Sequence, residues 1–129
     1  MARVLVVDDS RTVRAIISQQ LSEAGHEVLE AADGKLGLAL FIRSSPDLVI
    51  SDVVMPEMDG FEILGAIRRA APATPLILMS GGGRTLRVDD LLRSAKLLGA
   101  WQVLRKPFSG EELLHVVEGA LSTGRRAAR

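Results

Sequence analysis

The sequence predicts an α/β protein, a doubly wound parallel sheet of five strands in the order 2-1-3-4-5. Three observations point there. Five short apolar runs alternate with segments whose apolar residues recur at helical spacing. Three of those runs are continuously apolar, as strands covered on both faces are. The 129 residues suffice for one ordinary domain, and no linker or composition break divides them.

The first strand is "RVLVV" (3–7). Within 10–24, Val13, Ile16, Ile17 and Leu21 form one helical stripe, and Gly25 follows as a stop. The second strand, "EVLEA" (27–31), alternates with Glu27 and Glu30, which suits a sheet edge. Segment 34–44 carries Leu36, Leu40 and Phe41 on a stripe, and "DLVIS" (47–51) is the third strand. Asp59-Gly60-Phe61-Glu62, an acidic analogue of the capping box, opens a helix over 60–70. The fourth strand is "PLILMS" (75–80), followed by a helix over 85–98 that groups Leu91, Leu92, Ala95 and Leu98. The fifth strand is "WQVLR" (101–105). Ser109-Gly110-Glu111-Glu112, a full capping box, opens the last helix over about 110–121, which buries Leu113, Val116, Val117 and Ala120. Repetition of strand and helix implies right-handed crossovers and a flavodoxin-like topology. Residues 1–122 read as the domain and 123–129, with Arg125, Arg126 and Arg129, as a flexible basic tail.

Composition narrows the function classes. Sixteen basic residues balance sixteen acidic ones, so no global field favours nucleic acid. The chain has no Cys, which removes thiolate metal sites and cysteine nucleophiles. No apolar run approaches the ~18 residues of a membrane span. The stretch before the acidic pair is too short for a signal peptide, so the expected location is the cytoplasm.

Sheets of this topology bind ligands beyond the carboxyl ends of their strands, at the point where strand order reverses. Asp8 and Asp9 end the first strand, Asp52 the third, Ser80 the fourth and Lys106 the fifth. Singly, Asp8 or Asp9 reads as a helix cap and Asp52 as a turn residue. Together, three carboxylates, a hydroxyl and an ammonium on one rim exceed what capping explains. Crowded carboxylates need a counter-charge. Hard oxygen donors without His or Cys suit Mg²⁺. A carboxylate can act as a nucleophile and take a phosphoryl group, whose charge a metal, Lys106 and Ser80 could share. Gly81, Gly82 and Gly83 leave the backbone bare for its approach.

The stretches "VLVVDDS", "DLVISDVVMPEMDGFEIL", "PLILMSG" and "VLRKPF" resemble the receiver domain of two-component response regulators, including the chemotaxis regulators, over essentially the whole chain. The resemblance implies that Asp52 accepts a phosphoryl group from a sensor histidine kinase or phosphotransfer protein. It implies Mg²⁺ at Asp8, Asp9, Asp52 and the backbone carbonyl of Val54, with Asp9 a direct ligand and Asp8 acting largely through bound water. Ser80 and Lys106 would stabilise the phosphoryl group, and the Lys106–Pro107 peptide would be cis. An output protein of unknown identity would read the switch. Direct nucleic acid binding and membrane association are not expected, homodimerisation is left open, and the chain would be a phosphoacceptor rather than an enzyme.

Some positions depart from the family pattern. The usual switch aromatic is replaced by Val103. Trp101, two residues earlier, is expected on the same strand face, as part of an output surface that reports activation, or as packing against a helix. Val54 and Gly82 cannot orient an attacking water. His26 reads as a solvated turn residue and His115 as a helix-surface residue, while Met55 and Met58 are packing residues and poor partners for a hard metal. Three other functions compete. An aspartyl-nucleophile phosphohydrolase would need a second acid where Val54 stands. A flavin-binding electron carrier would need a hydroxyl- and Gly-rich phosphate loop after the first strand, where "DDSRTVR" puts two negative charges. A phosphate-independent scaffold would not need all five site positions filled.

Overall fold

The computed structural model describes residues 2–53, 58, 60–81 and 99–127. Five parallel strands form one sheet in the order β2-β1-β3-β4-β5. They are β1 Arg3–Val7, β2 Glu27–Ala31, β3 Leu48–Asp52, β4 Leu76–Ser80 and β5 Gln102–Arg105. Four helices are described: α1 Arg11–Glu23, α2 Gly34–Ser44, α3 Gly60–Ala70 and α4 Gly110–Ala127. The helix expected over 85–98 and the cap residue Asp59 lie outside the described residues, as do Val54, Met55, Gly82 and Gly83.

Burial sorts the strands as their sequences suggest. Every residue of β3 and β4 is buried, and β1 is buried except at Arg3. The Glu-bearing β2 is an edge, paired with β1 alone. Two apolar cores line the two faces of the sheet. Leu5, Val7, Val49, Leu76, Leu78 and Val103 pack with α2 and α3 on one side. Val4, Val6, Ile50, Ile77, Met79 and Leu104 pack with α1 and α4 on the other.

The helix ends follow local chemistry. Ser10 caps α1 by accepting from the Val13 N–H, and Asp33 caps α2 by accepting from the Leu36 N–H. Gly25, at φ 93°, turns the chain out of α1 in the left-handed region where a Cβ is unfavourable. Ser109 and Glu112 form the reciprocal capping box of α4.

Several expectations need correction. Ile16 and Leu36 are exposed, at 52% and 46%. Of the predicted stripe Phe41 is buried and Leu40 packs against the same core, and the remaining buried positions of α2 are Gly34 and Gly37. A Cβ on Gly37 would lie 2.8 Å from Val7 Cγ2, so the glycine permits a close approach that displaces Leu36 outward. The last helix continues to Ala127, past the boundary at 121. Its apolar stripe ends there, but no proline stops it, and Arg125, Arg126 and Ala127 are good helix formers. The basic tail therefore begins inside a helix.

Candidate functional site

The carboxyl ends of β1, β3, β4 and β5 meet at one rim. The parallel register sets Asp52 beside Met79 and Ser80 beside Arg105. Asp52 is the last residue of β3 rather than the residue after it. Main-chain bonds extend the alignment beyond the strands: the Val53 N–H donates to the Met79 carbonyl and the Lys106 N–H to the Ser80 carbonyl, at 3.1 and 2.8 Å.

Asp8 and Asp9 follow β1, and each has a different environment. Asp8 is fully buried and held on all sides. Its N–H donates to the Ala31 carbonyl, and its Oδ1 accepts from the Ser10 N–H at 2.8 Å. Its Oδ2 accepts from Lys106 Nζ at 2.9 Å. Asp9 is exposed. One carboxylate oxygen from each of Asp8, Asp9 and Asp52 lies within 4.8 Å of the other two. Hard oxygens so close, with one carboxylate open to solvent, fit a small divalent cation that keeps part of its water shell. The two oxygens of Asp8 are already hydrogen-bonded, which suits an indirect role for it.

Lys106 reaches back across the rim, its Nζ 3.4 Å from Asp52 Oδ2. The Lys106–Pro107 peptide is cis. Burial pushes the Asp52 carboxyl above its ordinary value; Lys106 opposes this, while Asp8 and Asp9 add to it. Burial alone would lower the Lys106 ammonium, but its hydrogen bond to Asp8 and the charges of Asp52 and Asp8 raise it overall. Ser80 is buried, and its hydroxyl donates to the Gly81 carbonyl at 3.3 Å. The carbonyl of Val54 lies outside the described residues.

The expectation that Trp101 and Val103 share a strand face is overturned. Val103 is buried in the core under α2 and α3, whereas Trp101 packs against the core under α1 and α4. Alternation holds only within a strand, and β5 starts at Gln102. Gly99, at φ 99°, redirects the chain before it. The Trp101 N–H then bonds Leu76 at the start of β4, the end of the sheet remote from Asp52. Its ring lies where a Cβ on Gly119 would come within 2.9 Å. His26 is not a solvated turn residue either. It is 8% exposed, its Nδ1 accepting from the Ala2 N–H at 3.2 Å and its Nε2 lying 3.3 Å from Glu118 Oε1. The turn after α1 folds it under the start of β1. His115 is exposed.

Two residues near the site escaped the sequence reading. Gly60 donates its N–H to the Val53 carbonyl at 2.9 Å, and a Cβ there would lie 2.5 Å from the Asp52 carbonyl oxygen. Its place after an aspartate suggested only a cap. Arg14 donates to the Asp8 carbonyl oxygen at 2.6 Å. The signal for it was a cation near the start of a helix, where the macrodipole disfavours positive charge.

A family model described as the response regulator receiver domain matches residues 4–118. Among curated relatives, the response regulator protein FleR of Pseudomonas aeruginosa is 39% identical over 90% of this chain and 24% of its own length. Protein PilG of the same organism is 35% identical over 90% of this chain and 84% of its own length. The chain spans less than half the length of FleR and of the ycf27 regulators that it also matches. The crystal structure of a response regulator receiver domain protein from Clostridium thermocellum superposes with a TM-score of 0.90 at 32% identity, covering 98% of this chain and 99% of that one. No described helix is long and apolar enough to cross a membrane. With the receiver model matched from β1 into α4 on a sheet of this order, the chain belongs to the response regulator receiver domain family and to two-component signalling.

Proposed function

We propose that Asp52 is the residue of this receiver that accepts the phosphoryl group, in a reaction that requires Mg²⁺. The supporting observation is the convergence of the Asp8, Asp9 and Asp52 carboxylates within 4.8 Å, with Lys106 Nζ 3.4 Å from Asp52 Oδ2. A carboxylate oxygen of Asp52 attacks phosphorus as the bond to the donor's leaving atom breaks; the leaving atom keeps the bonding pair. For a phosphohistidine donor on a sensor kinase or phosphotransfer protein, that atom is an imidazole nitrogen. Lys106 offsets charge on the transferred oxygens. The Ser80 hydroxyl gives up its bond to Gly81 and donates to a phosphoryl oxygen. Mg²⁺ held there would supply positive charge to offset that of the phosphoryl oxygens. Asp9 and Asp52 would hold it directly, Asp8 through water, and the Val54 carbonyl would complete the set.

The chain then acts as a phosphorylation-controlled interaction module in the cytoplasm, with no catalytic turnover beyond its own phosphorylation and dephosphorylation. Its output partner is a protein rather than nucleic acid. Incubation with Mg²⁺ and a small phosphodonor tests the assignment by intact mass. One phosphoryl group should add to the wild type and none to Asp52→Asn; modification of the variant at another aspartate would reject Asp52.

A further inference from the structure

Arg14 sits one turn into α1 and is used by none of the chemistry above. Its Nη1 donates to the Asp8 carbonyl oxygen at 2.6 Å, and its Nε lies 3.4 Å from Glu30 Oε1 on β2. Its side chain is 14% exposed. Charge alone argues against a cation here. The start of a helix disfavours positive charge, and a guanidinium close to a cation site repels the cation.

Geometry supplies the reason instead. The N–H, Oδ1 and Oδ2 of Asp8 are each engaged, by Ala31, Ser10 and Lys106. Its carbonyl oxygen is the remaining polar atom, and Arg14 takes it. That carbonyl belongs to the planar peptide unit that also contains the Asp9 N–H and Cα. Anchoring the oxygen fixes the N–Cα bond of Asp9, and the bond from the Ser10 N–H to Asp8 Oδ1 restrains the rotations on either side of that Cα, so together they set the direction from which the Asp9 side chain leaves the backbone. Asp9 is exposed and gains no such order from packing. Glu30 holds the guanidinium in place from the neighbouring strand.

We infer that Arg14 is a positioning residue for metal binding, pre-setting the Asp8–Asp9 peptide plane so that the Asp9 carboxylate points at the cation. This rests on the reading of Asp9 and Asp52 as metal ligands.

The test is titration with Mg²⁺ of the wild type, Asp9→Ala, Arg14→Met and Arg14→Lys, followed by calorimetry and by backbone amide spectra. Met retains the packing of the arginine stem, and thermal unfolding without metal checks each fold. Arg14→Met should bind about tenfold more weakly, the lower end of what loss of an outer-shell partner costs. Arg14→Lys, which keeps a donor for the carbonyl, should fall between Met and wild type. Without metal, the Asp9 amide should shift in Arg14→Met while the Ser80 amide stays in place. If the wild type binds no Mg²⁺, or Asp9→Ala binds as well as wild type, the metal reading fails and takes this inference with it. If those controls hold and Arg14→Met binds as tightly as wild type or more so, Arg14 acts only as a repelling charge and the inference alone is overturned. Equal losses for Met and Lys would likewise reject the hydrogen bond as the cause.

Discussion

The Lys106 ammonium lies closer to Asp8 than to Asp52, with Nζ 2.9 Å from Asp8 Oδ2 and 3.4 Å from Asp52 Oδ2. Asp8 is fully buried, so Lys106 is its counter-charge as well as the neighbour of the proposed phosphoacceptor. Lys106→Met should therefore destabilise the metal-free protein at neutral pH by about 1–3 kcal/mol, the cost of leaving a buried acceptor without its donor. The folded-state Lys106 value is raised, so its contribution is complete below the ordinary lysine range and fades as pH rises through the higher folded value. Denaturant titration of both proteins at neutral and strongly alkaline pH reads the gap. A gap that fails to narrow in alkali would show that packing, not charge, carries it.

Asp52→Asn should have the opposite sign. The folded protein holds a proton on Asp52 more tightly than the unfolded chain does. Stability therefore falls as pH rises from the ordinary carboxylate range through the raised folded value. Removing the charge should raise the metal-free Tm by on the order of 3 °C. The gain should vanish below the carboxylate range and shrink when Mg²⁺ stabilises the wild type alone. Thermal unfolding at several pH values, with and without Mg²⁺, decides it; a lower Tm for the variant at neutral pH would contradict the burial argument.

Two glycines of α3 should respond oppositely to alanine. At Gly60 a Cβ would meet the Asp52 carbonyl oxygen at 2.5 Å, Leu78 Cδ2 at 2.9 Å and Val53 Cα at 3.0 Å. Gly60→Ala should cost about 1–3 kcal/mol and slow phosphorylation, because the backbone that must yield carries Asp52. At Gly65 the nearest atom is the Arg69 guanidinium at 3.8 Å. Gly65→Ala should stabilise by about 0.5–1 kcal/mol through helix propensity and leave phosphorylation unchanged. Denaturation midpoints and mass-based phosphorylation rates check both, and equal effects at the two positions would refute the contact argument.

Trp101 emission should be insensitive to the site. The ring is remote from Asp52 along the sheet and opposite Val103 across it. Adding Mg²⁺ and then beryllofluoride should leave the emission maximum in place, whereas Gly119→Ala, whose Cβ would crowd the ring at 2.9 Å, should shift it. A shift with beryllofluoride would mean that phosphorylation repacks α4.

Much of this architecture was legible because it depends on local rules. Continuous apolar runs identified β1, β3 and β4 as central, and Glu27 and Glu30 marked β2 as an edge. Strand ends brought Asp8, Asp52, Ser80 and Lys106 to one rim, since a parallel sheet aligns carboxyl ends. The errors arose where tertiary contact overrides pattern. The stripe through Leu36 ignored that Gly37 could bring the helix axis close enough to turn that leucine outward. The face assigned to Trp101 assumed that strand alternation extends before Gln102. His26 acts through Ala2 and Glu118, partners distant in sequence that no local window contains, and Arg14 acts through the Asp8 carbonyl, which only the folded turn after β1 brings to it.

The His26 contact has a consequence for how the domain opens. Its Nδ1 accepts from Ala2, so the ring carries its proton on Nε2 and donates it to Glu118. One imidazole thus joins the start of the first strand to the last helix, and the bridge forms only once β1 and α4 are both in place. Fraying of the amino-terminal strand and release of α4 should then behave as one event in hydrogen exchange, with matched opening free energies in amides that ordinary end fraying would expose independently.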